Sequence, residues 1–433
     1  MVSGRLVAEN VRQPRVDGYR SLVAGACSGT PSTGHIALVP AGTDHQRPAT
    51  LQPDSTHNSP AWDDGSWPPL PPLASDLSAD VCVIGLGGSG LSAVGELLEL
   101  GRRVVGIDAA DVAAGAAGRN GGILRAGVAA FHHEAVRTIG RERATRLYRM
   151  TEDEIRRIAS ELPEVVRSTG SIRLATSDDE RRDCERQRDA MRADALPVEE
   201  YHGPLGRGLF FPENASLDPL ARCRAMARRA LARGASLFGG TRALAIGGGE
   251  VLTTGGRIRC GAVVVAVDGR LEALLPELAG TVRSARLQML GTAPTEEVRI
   301  PCPVSARGGF DYWQQLADGR VVLGGGRDRT MDAEWTASSE PTGEIQDYLE
   351  RTLRETIGVR APITHRWAAS VGYSGNGLPI LAEVRPRVWA AGAYSGTGNL
   401  LGAMCGRAAA RLSCGEASPL AYLLGSSPLT ERT

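Results

Sequence analysis

The sequence predicts an α/β fold in which a parallel-sheet layer is interleaved with an antiparallel-sheet domain. Three observations predict it. In residues 80–108 an apolar run (Val81, Val83, Ile84) meets glycines spaced G-x-G-x-x-G, then a helical pattern, then a second apolar run (Val104, Val105, Ile107). Far downstream, residues 389–399 repeat the succession of strand, glycine-rich turn and helix in another form. Between them, strand-length runs at 283–292, 301–307, 310–316 and 320–325 are broken by turns such as Asp318-Gly319, the pattern of antiparallel strands.

Each part of the first unit has a mechanical reason. Gly85 permits the sharp turn, Gly87 lets the backbone approach a pyrophosphate, and Gly90 lets the helix pack close to the strand. Gly88 and Ser89 lie in the first helical turn, where free N–H groups and the positive end of the helix dipole face an anion. Leu91, Val94, Leu97, Leu98 and Leu100 recur at helical spacing, and Gly101 stops the helix. Asp108, at the tip of the second strand and about 20 residues on, suits the ribose hydroxyls. A lone G-x-G-x-x-G is weak evidence in a chain with 54 glycines. Here the strand, turn, helix, second strand and acid follow in the order of a Rossmann-like dinucleotide site.

Two further stretches choose among dinucleotides. Gly115-Ala-Ala-Gly-Arg119-Asn120-Gly121-Gly122 follows the acid in a loop too glycine-rich for a helix interior. An arginine beside paired glycines offers a charge-assisted contact and backbone donors to a phosphate. Residues 389–399 read Trp-Ala-Ala-Gly392-Ala-Tyr394-Ser395-Gly396-Thr397-Gly398-Asn399. On these motifs the sequence resembles the flavin-dependent amine and amino-acid oxidase family that includes glycine oxidase, D-amino-acid oxidase, sarcosine oxidase and gamma-glutamylputrescine oxidase. Residues 115–122 are similar to that family's G-A-S-G-R-N-G-G-like loop against FAD. Residues 389–399 are similar to its G-F-S-G-H-G closing motif, with Thr397 where histidine is common. The resemblance implies a Rossmann-like FAD-binding domain with an interleaved antiparallel-sheet substrate domain. It also implies that the closing helix points its dipole at the flavin N1–C2=O edge.

Composition narrows the remaining choices. The chain of 433 residues has 49 basic and 49 acidic residues, so electrostatics favours neither nucleic acid nor an acidic membrane as partner. No lysine occurs; every basic side chain is arginine. The eight cysteines show no C-x-x-C or zinc spacing, which reads as reduced, buried thiols in a cytoplasmic protein. No apolar run reaches membrane-spanning length. No metal site is expected, because the adjacent His132 and His133 point apart on a helix; they read as solvent-facing or capping residues, although His132 could approach the flavin.

In chain order, residues 1–58 lack a sustained period and read as a disordered extension. Residues 59–79 form a proline-rich arm whose Trp62 and Trp67 dock onto the body or contact a second subunit, which leaves an oligomer possible. A long polar helical region spans about 131–162. Residues 171–175 read as a strand, 178–193 as a charged helix, and Asp218-Pro219 opens another helix that ends at Gly234. The FAD-binding domain is expected over 80–165, 206–281 and 362–415, the substrate domain over 166–205 and 282–361, and a tail over 416–433.

The resemblance implies oxidation of a C–N bond of a small-molecule amine or amino acid to an imine, by hydride transfer to flavin N5 and reoxidation by oxygen. It places Arg286, Gln288 and the run Tyr312-Trp313-Gln314 near the substrate, with Tyr394 from the closing motif. Only one of the neighbours Tyr312 and Trp313 can line a cavity, and Tyr312 is favoured. Val371 stands where amino-acid-oxidising members carry an arginine, so a substrate carboxylate needs Arg286, Arg307 or Arg366 instead. The same position carries the flavin-linking cysteine of sarcosine oxidases, so FAD is expected to be non-covalent. Sarcosine-oxidase-like members use a lysine near the flavin toward oxygen. Its lack keeps open an alternative, a dehydrogenase passing electrons to a quinone or protein carrier. A non-catalytic flavoprotein subunit of a hetero-complex is the other alternative.

Overall fold

The computed structural model describes residues 58–425; the expected extension before Asn58 and the end of the tail lie outside them. The Leu77–Ile84 strand runs parallel to Val104–Ile107 on one side and to Arg257–Val265 on the other. Ser236–Phe238 and Val388–Gly392 extend the parallel run at its two ends. Val81, Val83 and Val264 are buried under the Gly88–Glu99, Pro219–Ala232 and Ala403–Ser413 helices, and Val263 and Val265 on the other face pack with Leu271, Leu275 and Leu278. The Gly88–Glu99 helix rises from the glycine turn and packs against the Ala403–Ser413 helix. That crossing is close because Gly406 lacks a side chain: a methyl group there would lie 2.0 Å from the Ser89 carbonyl oxygen.

The second sheet runs in the order Ile363–Ser374, Val282–Thr292, Val321–Gly324, Asp311–Gln315, Val304–Ala306, Ser171–Leu174, Gly206–Phe211, Glu199–Gly203. All its pairings are antiparallel except that of Val304–Ala306 with Ser171–Leu174. The fold is therefore mixed α/β, a parallel dinucleotide-type sheet joined to a largely antiparallel one. The boundaries expected at 206 and 362 shift, since Gly206–Phe211 and Ile363–Ser374 both pair within the antiparallel sheet.

Register decides which side chains meet the first sheet. Met289 lies opposite both Trp367 and Gly324, Gly324 lies opposite Tyr312, and Ala285 and Arg283 lie opposite Val371 and Tyr373. Directly opposed residues share a face. That face meets the residue 119–122 loop, where Trp367 Nε1 donates to the Arg119 carbonyl (2.8 Å) and Gln314 Nε2 to the Gly121 carbonyl (2.6 Å). The opposite face carries Leu290, Trp313 and Leu323, packed with Ile345 and Leu349 of the Gly343–Arg351 helix.

Several local expectations change. The polar helical region breaks at Gly140 (φ +83°) into His132–Ile139 and Arg141–Glu161. His132 is not solvent-facing: it is 4% exposed, and its Nε2 lies 2.7 Å from Asp194 while its ring edge meets Tyr148. His133 pairs with Asp183 at 3.0 Å, a carboxylate that also receives Arg173 and Arg186. His133, Glu134 and Asp183 do approach one another closely enough to share an ion, but two guanidiniums already compete for Asp183. Asn58 belongs to the body, its backbone and side-chain oxygens accepting from Arg119. Trp62 is buried and donates to the Asn120 carbonyl, and Trp67 donates to Asp111 (3.3 Å).

The Asp178–Ala193 helix is therefore pinned through ion pairs, with a consequence in acid. Burial raises the pKa of Asp183, but hydrogen bonds from His133 and Arg173 outweigh it and hold the carboxyl well below its ordinary 3.8. Asp194, just past the helix, is likewise lowered, burial being outweighed by His132 and Arg141. Groups with depressed folded values stabilise the fold fully above the unfolded pKa and lose that contribution as pH falls through the folded one. His132, whose pKa burial lowers despite Asp194, acts in the same direction below 6.5. Thermal melts should be flat above pH 6.5 with respect to these groups and fall steeply below pH 3.8. Asp194→Asn should flatten the acid limb; an unchanged limb would remove this network as its cause.

Candidate active site

The glycine turn has the shape of a phosphate cradle. Gly85 has φ +99°, and a methyl group there would sit 2.5 Å from the Ala266 carbonyl oxygen. At Gly90 the same group would meet the Gly85 carbonyl oxygen at 1.8 Å, and at Gly87 the Ala117 methyl at 3.2 Å. Gly88 faces open space. Among the described residues no side chain caps the Gly88–Glu99 helix, so its first N–H groups are left for an anion. Asp108 accepts from the Leu86 and Ala110 N–H groups (2.8 and 2.9 Å), which fixes the carboxylate beside the turn with lone pairs to spare for hydroxyls. Burial raises its pKa, opposed by those two bonds.

Two side-chain locks gather the separate motifs. The carboxamides of Asn120 and Asn399 exchange hydrogen bonds, Asn399 Nδ2 donating at 3.0 Å and Asn120 Nδ2 at 3.3 Å. Tyr394 donates its hydroxyl to Ser89 Oγ at 2.6 Å. The residue 119–122 loop, the first helix and the closing turn thus converge, although hundreds of residues separate them in sequence. Ser395 (φ +51°) and Thr397 turn their hydroxyls back onto the Ala393 and Tyr394 carbonyls. Gly396 (φ +86°) faces open space, while Gly398 borders the Tyr394 ring. A wide turn at Gly398–Gly402 then leads into the closing helix. Gly122 (φ +66°) and Gly392 are packing positions, where methyl groups would meet the Leu217 carbonyl oxygen at 2.2 Å and the Leu271 side chain at 2.6 Å.

Four expectations need correction. Arg119 Nε and Nη2 do not reach for a diphosphate; they donate to the Ala368 carbonyl (2.8 Å) and to Asn58, so Arg119 ties the loop to the second sheet and to the arm. Arg286 and Gln288 lie on the sheet face turned away from Gly121, opposite Ser370 and Ala368. There Glu334 takes both nitrogens of a bidentate Arg286 pair (3.0 and 2.8 Å), and Gln288 bonds Glu334 and Thr342. Tyr394 is 5% exposed and spends its hydroxyl on Ser89, which makes it a positioning residue. Tyr312 does face the loop: a methyl group at Gly121 would touch its ring at 3.0 Å, whereas Trp313 points into the opposite core. Burial pushes the Tyr312 phenol above its ordinary 10.0, against the nearby Arg327 charge.

Other side chains at this junction carried weaker signals. Gln314, placed near the substrate only as part of the Tyr312 run, shares the Tyr312 face by the period of two and spends its amide on the Gly121 carbonyl. Asp268 was visible only as a departure from a family pattern. Half-buried, it accepts from the Gly372 and Tyr394 N–H groups (2.9 and 3.1 Å) and so couples both sheets to the closing turn; desolvation raises its pKa against those bonds. Arg327, Trp335 and Tyr373 come together from three segments, and no sequence period connects them.

A glycine cradle that a methyl group would fill, an uncapped helix start and an anchored acid fit a dinucleotide diphosphate and ribose. A family model for FAD dependent oxidoreductases matches residues 80–412. The chain belongs to that family. It is an enzyme of oxidoreductase type whose cofactor is FAD. A probable oxidoreductase, OrdL, of Rhizobium meliloti is 30% identical over 387 residues, covering 82% of this chain and 88% of the relative. The gamma-glutamylputrescine oxidoreductase of Escherichia coli is 25% identical over 381 residues, covering 81% and 87%. Among solved structures, glycine oxidase from Geobacillus kaustophilus superposes with a TM-score of 0.67 at 20% identity, over 79% of this chain and 96% of that one. L-proline dehydrogenase from P. horikoshii gives 0.65 at 19% identity, over 82% and 97%. Among the described residues no helix of the enzyme is long and apolar enough to cross a membrane.

Proposed function

We propose that the enzyme oxidises the C–N bond of an amine or amino acid to an imine, which water then hydrolyses. One observation carries this reading: the sheet face bearing Tyr312, Met289, Val371 and Tyr373 is turned onto the Gly121 loop, which the Asn120–Asn399 lock joins to the closing turn. The amine and amino-acid substrates in the names of similar proteins support the same class. FAD, held non-covalently, would supply the two-electron acceptor for this oxidation, with oxygen as the final acceptor. The chain's own work is positional. Gly87, Gly88 and Ser89 would present N–H groups to the cofactor's diphosphate, and Asp108 would accept from its ribose. Met289, Val371 and the Tyr312 ring exclude water, which favours the neutral amine and spares the need for a strong general base. On this reading the parallel-sheet part binds FAD, and the antiparallel part selects the substrate.

The test is anaerobic mixing of the holoenzyme with D- and L-amino acids, N-methyl amino acids and polyamines, reading flavin bleaching. At least one member should bleach it, and readmitted oxygen should return the colour with an equivalent of hydrogen peroxide. Bleaching that oxygen reverses only slowly would favour a dehydrogenase with a quinone or protein acceptor, a reading supported by the lack of lysine in the chain. No bleaching by any member would favour a non-catalytic subunit and overturn the proposal.

A further inference from the structure

The arginines that the sequence offered for a substrate carboxylate are already occupied. Arg286 is held by Glu334, Arg307 by Asp311 and Asp328, and Arg366 by Glu350. Another guanidinium is not. Arg327 follows Gly324-Gly325-Gly326, where Gly325 (φ +151°) and Gly326 (φ +73°) turn the chain sharply out of the Val321–Gly324 strand. Its central carbon stands 4.8 Å from the Trp335 ring centre, 4.8 Å from that of Tyr373 and 6.0 Å from that of Phe310. The aromatic faces favour the cation but supply no acceptor. Nη1 is shut off from solvent, and among the described residues it meets no hydrogen-bond partner. A buried charged donor without an acceptor is costly, and in a native protein it marks a place where something else completes the bonding.

The surroundings say what completes it. The nearby carboxylates do not reach Nη1: Asp328 gives Oδ2 to Arg307 and its buried Oδ1 meets no hydrogen-bond partner among the described residues, Arg327 included, while Glu334 binds Arg286 and Gln288. Tyr373 lies on the Tyr312 face of the sheet, two residues from Val371, and Arg327 is close enough to Tyr312 for its charge to act on the phenol. The Tyr312 ring in turn borders Gly121. A planar guanidinium whose Nη1 awaits an acceptor, walled by rings that exclude water, matches a carboxylate in charge and geometry.

We propose that Arg327 binds the carboxylate of the substrate, so that the enzyme takes an amino acid or N-substituted amino acid in preference to a simple amine or polyamine. This assignment rests on the amine-oxidising reading above and narrows its substrate class. It gives the site a carboxylate anchor from the turn after a neighbouring strand, in place of one at Val371.

Two measurements on the holoenzyme test it. The first compares an amino acid that bleaches the flavin with its carboxamide and its decarboxylated amine. The wild type should favour the acid by about 100-fold in kcat/KM, mostly through KM, as expected for one desolvated charge-assisted contact. Arg327→Gln should bring the ratio near one, and Arg327→Lys should keep part of it. The second titrates benzoate against benzamide by calorimetry and needs no turnover. The wild type should prefer benzoate by a similar factor, and Arg327→Gln should lose that preference. Flavin content and circular dichroism check each variant; should the glutamine variant fail to fold, the lysine variant carries the comparison. A wild type indifferent to the carboxylate, or a glutamine variant with undiminished preference, would overturn the assignment. If no amine is turned over, the oxidase reading fails by itself, and the benzoate titration still decides the role of Arg327.

Discussion

Gly90→Ala should yield folded protein that is colourless, with FAD affinity reduced by at least about 100-fold, or about 2.7 kcal/mol. The added methyl would stand 1.8 Å from the Gly85 carbonyl oxygen, far inside van der Waals contact. The obstacle is backbone, so no flexible side chain can yield. Either the helix start must move away from the Leu77–Ile84 strand or the Gly85 turn must open, and both displace the N–H groups that face the phosphates. Gly95→Ala, on the same helix but away from its first turn, is the control, because a methyl there meets nothing within 4 Å in the described protein. Flavin absorbance per protein after dialysis against excess FAD reads the difference. A yellow Gly90→Ala protein with wild-type content would remove the cradle from this turn.

Glu334→Ala should cost about 3–5 kcal/mol of stability, the range for removing one partner of a buried ion pair. Glu334 has a side chain 1% exposed and holds both nitrogens of an Arg286 fork that is itself 10% exposed. Its removal leaves a buried guanidinium with one remaining contact, the Glu340 carbonyl at 3.1 Å, and takes an acceptor from Gln288 as well. The double replacement Arg286→Met with Glu334→Leu should recover most of the loss, since the cost lies in the uncompensated charge rather than in the pair's net worth. Urea midpoints of the wild type and both variants read this directly. A Glu334→Ala midpoint equal to wild type would show that water reaches Arg286 and that the pair is not truly buried.

Both experiments separate what is local from what is not. The nucleotide turn was legible because its requirements sit within a few residues: Gly85 needs positive φ, Gly90 needs room against Gly85, and Asp108 must end the next strand. The Asp218-Pro219 helix start was legible in the same way, and the Asp218 carboxylate does accept from the Leu220 and Ala221 N–H groups. The helix break at Gly140 and the burial of His132 were not, because each depends on how the Asp178–Ala193 segment docks across the sequence.

By itself, then, the sequence determined the class of fold and, through its family motifs, the cofactor; the glycine turn was legible because its shape rests on short-range sterics and backbone hydrogen bonding. Tertiary structure alone decided the substrate side. Residues 286 and 288 differ from 287 and 289 by one step in a period of two, and only pairing with the Ile363–Ser374 strand selects which of them meets Gly121. The same pairing put Arg286 against Glu334 and, with a turn from another strand, left Arg327 among aromatic rings with a donor to offer. A charged side chain carries the same formal charge in any sequence, but whether it is already neutralised depends on partners that only the folded chain brings near.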